Sequence, residues 1–245
     1  MIQTDQPTCF PPGVLVRVSS KYNGTVLNKA VGTHEGVGMT NRQQFCSDNG
    51  VEYRNVVYQR IKYGDDHTYD VITDVDASDT TEYVSERAGD ALFTRSVGVG
   101  LFLPVADCIA TVIYDPSHKY LALLHLGRHS TMANLMSKTI DHFVERGSKA
   151  EELIIWMAPS VQKSHYVMQY FDHKDEPEWQ GYVEVRDDGI YLDLHGYNHS
   201  QALEHGVLAK NIHQSDVNTA IHPDYYSHSQ GDKTGRFAVL AIIQS

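Results

Sequence analysis

The chain has 245 residues, 41% of them hydrophobic, and a formal net charge of −11. This length and apolar content suffice for one large core, and no composition change marks a linker, so we predict a single domain over residues 1–245. The negative charge disfavours nucleic acid as a partner, because affinity for phosphate backbones comes mainly from Lys and Arg. No signal-like start and no apolar run near membrane length is visible, which predicts a cytoplasmic protein with small-molecule rather than membrane partners.

The three cysteines, Cys9, Cys46 and Cys108, cannot all pair with one another. Their spacing matches neither a disulfide framework nor a CxxC zinc knuckle. Each cysteine must therefore be judged by its own surroundings, and Cys9 and Cys46 belong to no motif that we identify.

The N-terminal third contains two predicted strands, at residues 14–19 and 56–61, with a turn at Asn23 and Gly24. The stretch 28–40 is rich in Gly, and we expect it to be irregular. Residues 91–125 predict four successive strands, ALFTRSV, GLFLPVA, ATVIYD and YLALLH. The last three are apolar at nearly every position, which is typical of strands covered on both faces.

A helix is predicted over residues 130–146, with Ser130 or Thr131 as its N-cap and Gly147 as its terminator. Its predicted core stripe consists of Leu135, Met136, Ile140, Phe143 and Val144.

A buried strand is expected next, at residues 153–157. Asp193 is then predicted to cap a second helix that ends at Gly206 and buries Leu194, Tyr197, Ala202 and Leu203. Residues 236–243 predict a last buried strand. Strands and helices mix without regular alternation, so we predict an α+β layered fold with mixed, largely antiparallel sheets.

Cys108 and His125 lie on the two arms of a predicted β-hairpin whose turn is Asp115-Pro116-Ser117-His118. With a two-residue loop, residues whose numbers sum to 233 are paired, and Cys108 and His125 sum to 233. A four-residue loop would make the two side chains diagonal neighbours on the same face. Either loop brings the thiol and the imidazole together.

Such a pair is compatible with three kinds of site. It could hold two ligands of one zinc ion, it could be a nucleophile and its base, or it could be an ordinary buried thiol beside a hydrogen-bonded core histidine. The hairpin alone does not choose among them.

The segment 106–131 resembles the signature of the YfiH-like, laccase-domain family, in which an Ala-Asp-Cys tripeptide and a later His-x-Gly stand seventeen positions apart. Further landmarks match in the same order along the chain: Asn41-Arg42, Asp90-Ala91-Leu92 with Thr94, Ala158-Pro159-Ser160-Val161, Asp193-Leu194 with Asn198, and Gly235-Arg236-Phe237. The resemblance covers nearly the whole chain and implies an α/β/β/α sandwich of the YfiH-like type.

The resemblance also implies a third metal ligand upstream, a histidine followed four positions later by a β-branched residue. Alignment without a gap puts Lys62 at that position, whereas His67, with Val71 four residues on, fits the local pattern. Because zinc prefers a neutral imidazole to a charged amine, we choose His67, and the predicted ligands are His67, Cys108 and His125.

Three protein ligands with an open fourth position describe a catalytic metal site. The family resemblance implies a zinc-dependent purine nucleoside enzyme, combining nucleoside phosphorolysis with adenosine deamination. A copper-dependent polyphenol oxidoreductase and a diverged binding protein without turnover remain the alternatives. Zn²⁺ is the expected cofactor, with Cu²⁺ as the alternative, and both monomer and homodimer stay open.

The remaining candidate residues are also implied by the resemblance. The loop after His125 departs from the family, which usually has Ala-Gly-Trp there, but Arg128, His129 and Ser130 could still serve phosphate or an oxyanion. In the plainer alternative, Ser130 only caps the helix and Arg128 is a surface charge.

Two positions on other elements, Ser160 and Arg236, are predicted substrate contacts by family position, although Arg236 could instead be only a polar residue before the last strand. Asp107, beside Cys108 in the sequence, is predicted to orient His125 or, alternatively, only to cap a strand end. The chain also has Ser164-His165 and Asn218-Thr219 where the family often has cysteines.

Overall fold

The computed structural model describes residues 6–28, 36–80 and 85–244. Its elements in chain order are strand β1 (Val14–Val18), helix α1 (Gly36–Asp48), strands β2 (Val56–Arg60), β3 (Ile72–Val75), β4 (Ser85–Ala88), β5 (Ala91–Thr94), β6 (Gly100–Val105), β7 (Ile109–Asp115) and β8 (Tyr120–Leu126), helices α2 (Arg128–Met132) and α3 (Leu135–Val144), strands β9 (Ile154–Met157), β10 (Val167–Met168), β11 (Val183–Arg186) and β12 (Gly189–Leu192), helix α4 (Leu194–Glu204), and strands β13 (Ile212–Gln214) and β14 (Phe237–Ile243).

Two mixed sheets stack face to face. The first has the strand order β1-β14-β6-β2-β4 and the second β13-β9-β7-β8-β5-β3, while β10, β12 and β11 form a small third sheet. Both large sheets combine parallel and antiparallel pairs, and antiparallel pairs are the majority in the described residues. The predicted α+β fold with mixed, largely antiparallel sheets is confirmed.

Three buried clusters separate the layers. One lies between the two large sheets, with Leu103 and Val239 from the first sheet and Val112 and Leu123 from the second. Another packs the outer face of the second sheet against α3 and α4, and a third packs α1 through Phe45 against the first sheet. The order of layers is therefore α/β/β/α, as the resemblance implied.

The sequence prediction was wrong about the first helix. Residues 28–40 were expected to be irregular, but α1 begins at Gly36, and residues 29–35 lie outside the described ranges. The centre of α1 is a buried charge, because the Arg42 guanidinium donates to the Val26 carbonyl over 2.8 Å and to the Tyr53 hydroxyl over 2.9 Å. A helix held by a buried arginine has no apolar stripe for a periodicity argument to detect.

The predicted helix over 130–146 is two helices. Asn134 separates them in the left-handed conformation, with φ 58° and ψ 38°. Ser130 is not an N-cap but lies inside α2, where its hydroxyl accepts a hydrogen bond from the Gly127 amide over 3.0 Å. Val144 and Leu203, both expected in the core, are 45% and 40% exposed.

None of the helices in the described residues combines the length and apolar character that crossing a membrane requires.

Candidate functional site

His125 is held near the end of β8 by a buried carboxylate. Its Nδ1 donates to Asp90 Oδ2 over 2.8 Å, and its backbone amide donates to the Asp90 carbonyl over 2.7 Å. Asp90 lies between β4 and β5 and is fully buried, and its Oδ1 accepts a hydrogen bond from the Thr68 hydroxyl over 2.6 Å. These contacts fix the ring orientation and leave Nε2 as the atom that faces the site.

Cys108 comes immediately before β7, and its thiol lies in the same cavity wall as the His125 ring. In the observed register His125 pairs with Ala110, so the hairpin loop has four residues and Cys108 is a diagonal neighbour. Both side chains lie against Gly127, and although burial lowers the pKa of His125, Cys108 and Asp90 together raise it to about 10. The predicted meeting of Cys108 and His125 is thus present in the structure.

Gly127 allows this close approach. A Cβ atom at this position would lie 3.2 Å from Cys108 Sγ and 3.2 Å from His125 Cε1, tighter than ordinary contacts. Glycine is the residue type that leaves both reactive side chains undisturbed.

Asp107 does not orient His125, contrary to the sequence prediction. Its Oδ1 accepts from the Thr219 hydroxyl and its Oδ2 from the Ser229 amide, each over 2.7 Å. Its backbone is left-handed, with φ 78°. Asp107 therefore ties the loop around Ser229 to the start of β7. The carboxylate that binds His125 Nδ1 is Asp90 instead.

The predicted third ligand, His67, lies outside the Cys108–His125 pair. Its exposed ring stacks on Tyr69 with a centroid distance of 4.4 Å, and Tyr69 stacks in turn on His129 at 4.7 Å. Across residues 6–28, 36–80 and 85–244, no group of three or more His, Cys, Asp or Glu side chains could hold a metal ion. The predicted ligand set of His67, Cys108 and His125 is not assembled.

A cavity of about 560 Å³ opens over Cys108 and His125, a volume typical of small-molecule sites. It is lined by Leu27, Tyr58, Gln59, Arg60, Ile61, Tyr63, Pro104, Val105, Ala106, Cys108, His125, His228 and Arg236. The walls are therefore largely apolar and aromatic, with a few polar groups.

Arg236 supplies a buried positive charge to this cavity. The residue is 7% exposed, and one guanidinium nitrogen donates to the Asp232 carbonyl over 3.3 Å. Burial lowers its pKa, an effect that neighbouring Cys108, Tyr63 and Asp107 oppose. The predicted substrate contact Arg236 thus lies in the same cavity as the Cys108–His125 pair.

The chain matches the family model described as multi-copper polyphenol oxidoreductase laccase over residues 16–244. The chain belongs to this family. Similar curated proteins include the purine nucleoside phosphorylases of Bacteroides thetaiotaomicron, 28% identical over 160 residues (60% of this chain and 58% of that protein), and of Deinococcus radiodurans, 28% identical over 161 residues (63% and 61%). These matches span about three fifths of the relatives' length.

Solved structures of two other proteins share the fold. Bacillus licheniformis YfiH superposes with a TM-score of 0.82 and 20% identity, covering 94% of this chain and 93% of that one. YlmD from Geobacillus stearothermophilus gives a TM-score of 0.83 and 20% identity, covering 98% and 94%.

The segment predicted to serve phosphate forms the start of α2. Here Arg128 is partly buried, with its guanidinium 3.2 Å from His129 Nε2 and 3.6 Å from Met168 Sδ. Neither Arg128 nor His129 is among the residues that line the cavity. Burial and the Arg128 charge lower the pKa of His129.

Ser130 is buried and donates to the His125 carbonyl over 2.6 Å, so it supports the backbone of the site.

Ser160 is also removed from the cavity. It is fully buried after β9, and its hydroxyl lies 2.8 Å from Nε2 of the buried His195 on α4. This contact joins the second sheet to α4.

Polar contacts join the segments that contain Gln162, His165 and Asn218. Asn218 Nδ2 lies 3.0 Å from His165 Nδ1, and the Gln162 amide donates to Asn218 Oδ1 over 3.3 Å. These contacts hold the two segments together.

Sequence reasoning missed three residues of the site. Asp90 stood only as a family landmark, and neither Thr68 nor Tyr63 was singled out, although Thr68 binds Asp90 and Tyr63 lines the cavity. The Asp-Ala-Leu landmark at residues 90–92 was the available signal for Asp90, because a buried carboxylate needs a partner.

Proposed function

We propose that this protein cleaves purine nucleosides by phosphorolysis in the cavity above Cys108 and His125. The names of the curated relatives support the reaction class, and family membership covers residues 16–244. Because those matches span only part of the relatives, the substrate assignment is our own proposal.

The observation that carries the proposal is the buried Arg236 guanidinium in a largely apolar cavity. A guanidinium binds phosphate oxygens in a planar, two-point geometry and stays charged when buried. Aromatic and aliphatic side chains, among them Tyr58, Tyr63 and Ile61, give the purine ring an apolar surface on the same cavity. An anion site and a flat apolar site thus lie side by side.

In this arrangement phosphate attacks C1′ of the ribose while Arg236 holds it. His125 faces the cavity with Nε2 and gives a proton to the departing purine. Asp90 fixes the tautomer of His125 through Nδ1.

The family resemblance also implies zinc, with copper as the alternative. The donors that meet in the described part of the chain are one thiol and one imidazole, which do not fit a three-ligand metal centre. No step of the proposed phosphorolysis is therefore routed through a metal.

The product assay tests the proposal. Purified protein with inosine should release hypoxanthine and ribose 1-phosphate, and release should require inorganic phosphate. Hypoxanthine formed at the same rate without phosphate would contradict phosphorolysis.

A matched pair of arginine variants tests the anion site. Arg236→Gln should raise the KM for phosphate at least about tenfold, since a hydrogen bond to a charged group contributes about 1.5–3 kcal/mol. Arg128, the second arginine considered for phosphate, lies outside the cavity. Arg128→Gln should therefore change the KM for phosphate less than about twofold, which corresponds to well under 1 kcal/mol. The reverse order of effects would put the phosphate at the start of α2 instead.

Adenosine deamination and polyphenol oxidation are the other activities implied by the resemblance. The cavity supports deamination as the second candidate, because a purine in contact with Cys108 and His125 brings its base next to a nucleophile and a proton carrier. Ammonia release from adenosine, measured beside oxidation of a phenolic dye with added copper, separates the two.

A further inference from the structure

The donor set around His125 differs from the metal centre that the family resemblance implies. The wall beside Cys108 and His125 carries Tyr63, whereas His67 stacks on Tyr69 and is not among the lining residues. A third strong metal ligand is therefore not brought to the pair by the described residues. The Cys108 thiol is then available as a nucleophile rather than as a metal ligand.

The same side chains form an ordered proton path. The Cys108 thiol and the His125 ring both lie against Gly127 in the wall of one cavity, and His125 Nδ1 donates to Asp90 Oδ2 over 2.8 Å. Thr68 holds the other carboxylate oxygen over 2.6 Å. A nucleophile, a base and a group that orients the base are the three parts of thiol-based covalent catalysis.

The loop that carries Thr68 also shapes the cavity. The Thr68 hydroxyl accepts from the Lys62 amide over 3.0 Å, and the Thr68 amide donates to the Lys62 carbonyl over 3.2 Å. These bonds close residues 62–68 into a loop that places Tyr63 on the cavity wall. One residue thus supports both the proton path and the wall.

We propose that Cys108 is a covalent nucleophile toward the amino-bearing C6 carbon of a purine nucleoside, with His125 carrying the proton and Asp90 positioning His125. The inference rests on the proposed function for its purine substrate. It replaces metal-bound water by a thiol as the attacking group.

The reaction balances without a further reagent. Cys108 Sγ bonds to C6 while the thiol proton passes to His125 Nε2, and the C6–N bond then breaks as the amino group leaves with that proton as ammonia. Water next attacks C6, the C–S bond breaks, and the sulfur regains a proton through His125. The sum is adenosine plus water giving inosine plus ammonia, with no change of oxidation state.

The first test asks whether a metal is needed. Wild-type protein treated with a chelator and desalted should contain less than a tenth of an equivalent of zinc or copper and should deaminate adenosine within twofold of the untreated rate. Loss of deamination on chelation, restored by adding zinc, would overturn the proposal.

The second test looks for the covalent bond. In 6-chloropurine riboside chloride replaces the amino group, so attack by Cys108 forms the same C6–S bond as in the proposed reaction. Acid quenching during the first turnover should trap this adduct with the mass of the nucleoside minus HCl, and peptide mapping should place it on Cys108. Cys9 and Cys46 serve as internal controls, because burial raises their thiol pKa values to about 11 and about 12. A label spread over all three cysteines, or absent from Cys108, would contradict the assignment.

Two variants separate the roles of the residues. Cys108→Ser, nearly isosteric, should lose deamination at least a hundredfold. Asp90→Asn should slow labelling at least tenfold and shift the pH profile of labelling, a change that a merely structural carboxylate would not produce. An unchanged pH profile in Asp90→Asn would remove its positioning role.

The failures of the two proposals are distinguishable. Phosphate-dependent cleavage of inosine without any labelling of Cys108 would overturn the covalent mechanism and leave phosphorolysis standing. Labelling and deamination without phosphorolysis would do the opposite.

Discussion

At the scale of single residues, a contact in the site could be predicted from the sequence when its two residues belong to one hairpin. Cys108 and His125 were predictable as neighbours because one hairpin brings them to the same face with either a two-residue or a four-residue loop, and the observed loop has four residues. The carboxylate partner of His125 was not predictable. Asp90 is 35 positions away in the chain, and the pairing of β5 with β8 brings it next to His125. Asp107, next in sequence to Cys108, was the obvious but wrong choice.

Gly127 gives a sharp prediction at this scale. Gly127→Ala places a methyl group 3.2 Å from both Cys108 Sγ and the His125 ring, so one of them must move. We expect turnover of inosine and adenosine to fall roughly tenfold or more, because small displacements of reacting groups are costly, with little change in the melting temperature. Full activity in Gly127→Ala would mean that the close contact of sulfur and imidazole is not used.

At the scale of elements, the hydrophobic pattern predicted the strands better than the helices. Strands β6, β7, β8 and β14 are buried on both faces, and their continuous apolar runs mark them clearly. Helix α1 escaped detection because its central buried group is Arg42, and α2 was merged with α3 because a single residue, Asn134, breaks the helical path. Such breaks depend on one dihedral pair rather than on periodicity.

The break at Asn134 can be tested by two substitutions. Its side chain accepts a hydrogen bond from Gln201 Nε2 over 2.6 Å, and its φ of 58° disfavours most residues. Asn134→Gly should lower the free energy of unfolding by about 1 kcal/mol through the lost hydrogen bond. Asn134→Ala should lower it by about 2–3 kcal/mol, because alanine also pays the cost of the left-handed conformation. Denaturant unfolding measures both, and an alanine variant as stable as the glycine variant would rule out backbone strain.

At the scale of the whole molecule, the layers could be predicted but the buried polar links between them could not. Apolar faces of strands and helices indicate which surfaces must pack against another layer. The contact of Ser160 with His195, in contrast, depends on where α4 docks on the second sheet. The same limitation applies to His67, whose local pattern suited a ligand but whose ring lies against Tyr69 outside the cavity.

His195 makes the stability of the molecule depend on pH. Burial lowers its pKa from 6.5 to about 4, so the folded state keeps it neutral. Below pH 6.5 the unfolded chain takes up a proton that the folded chain does not. Stability present above pH 6.5 is therefore lost as the pH falls toward 4, by about 3 kcal/mol in total.

Comparison with His195→Gln isolates this contribution. Between pH 6.5 and 4 the free energy of unfolding of the wild type should fall more steeply than that of the variant, whatever the variant's absolute stability. Parallel curves would show that His195 titrates normally in the folded protein.

Both proposed reactions require that purine nucleosides bind in the cavity above Cys108 and His125. Alkylation of Cys108 by iodoacetamide, followed by peptide mass spectrometry at increasing inosine concentration, measures this directly. We predict that saturating inosine slows alkylation of Cys108 at least tenfold and leaves Cys9 unaffected. Alkylation of Cys108 at an unchanged rate in protein saturated with inosine would place the nucleoside elsewhere and contradict the account.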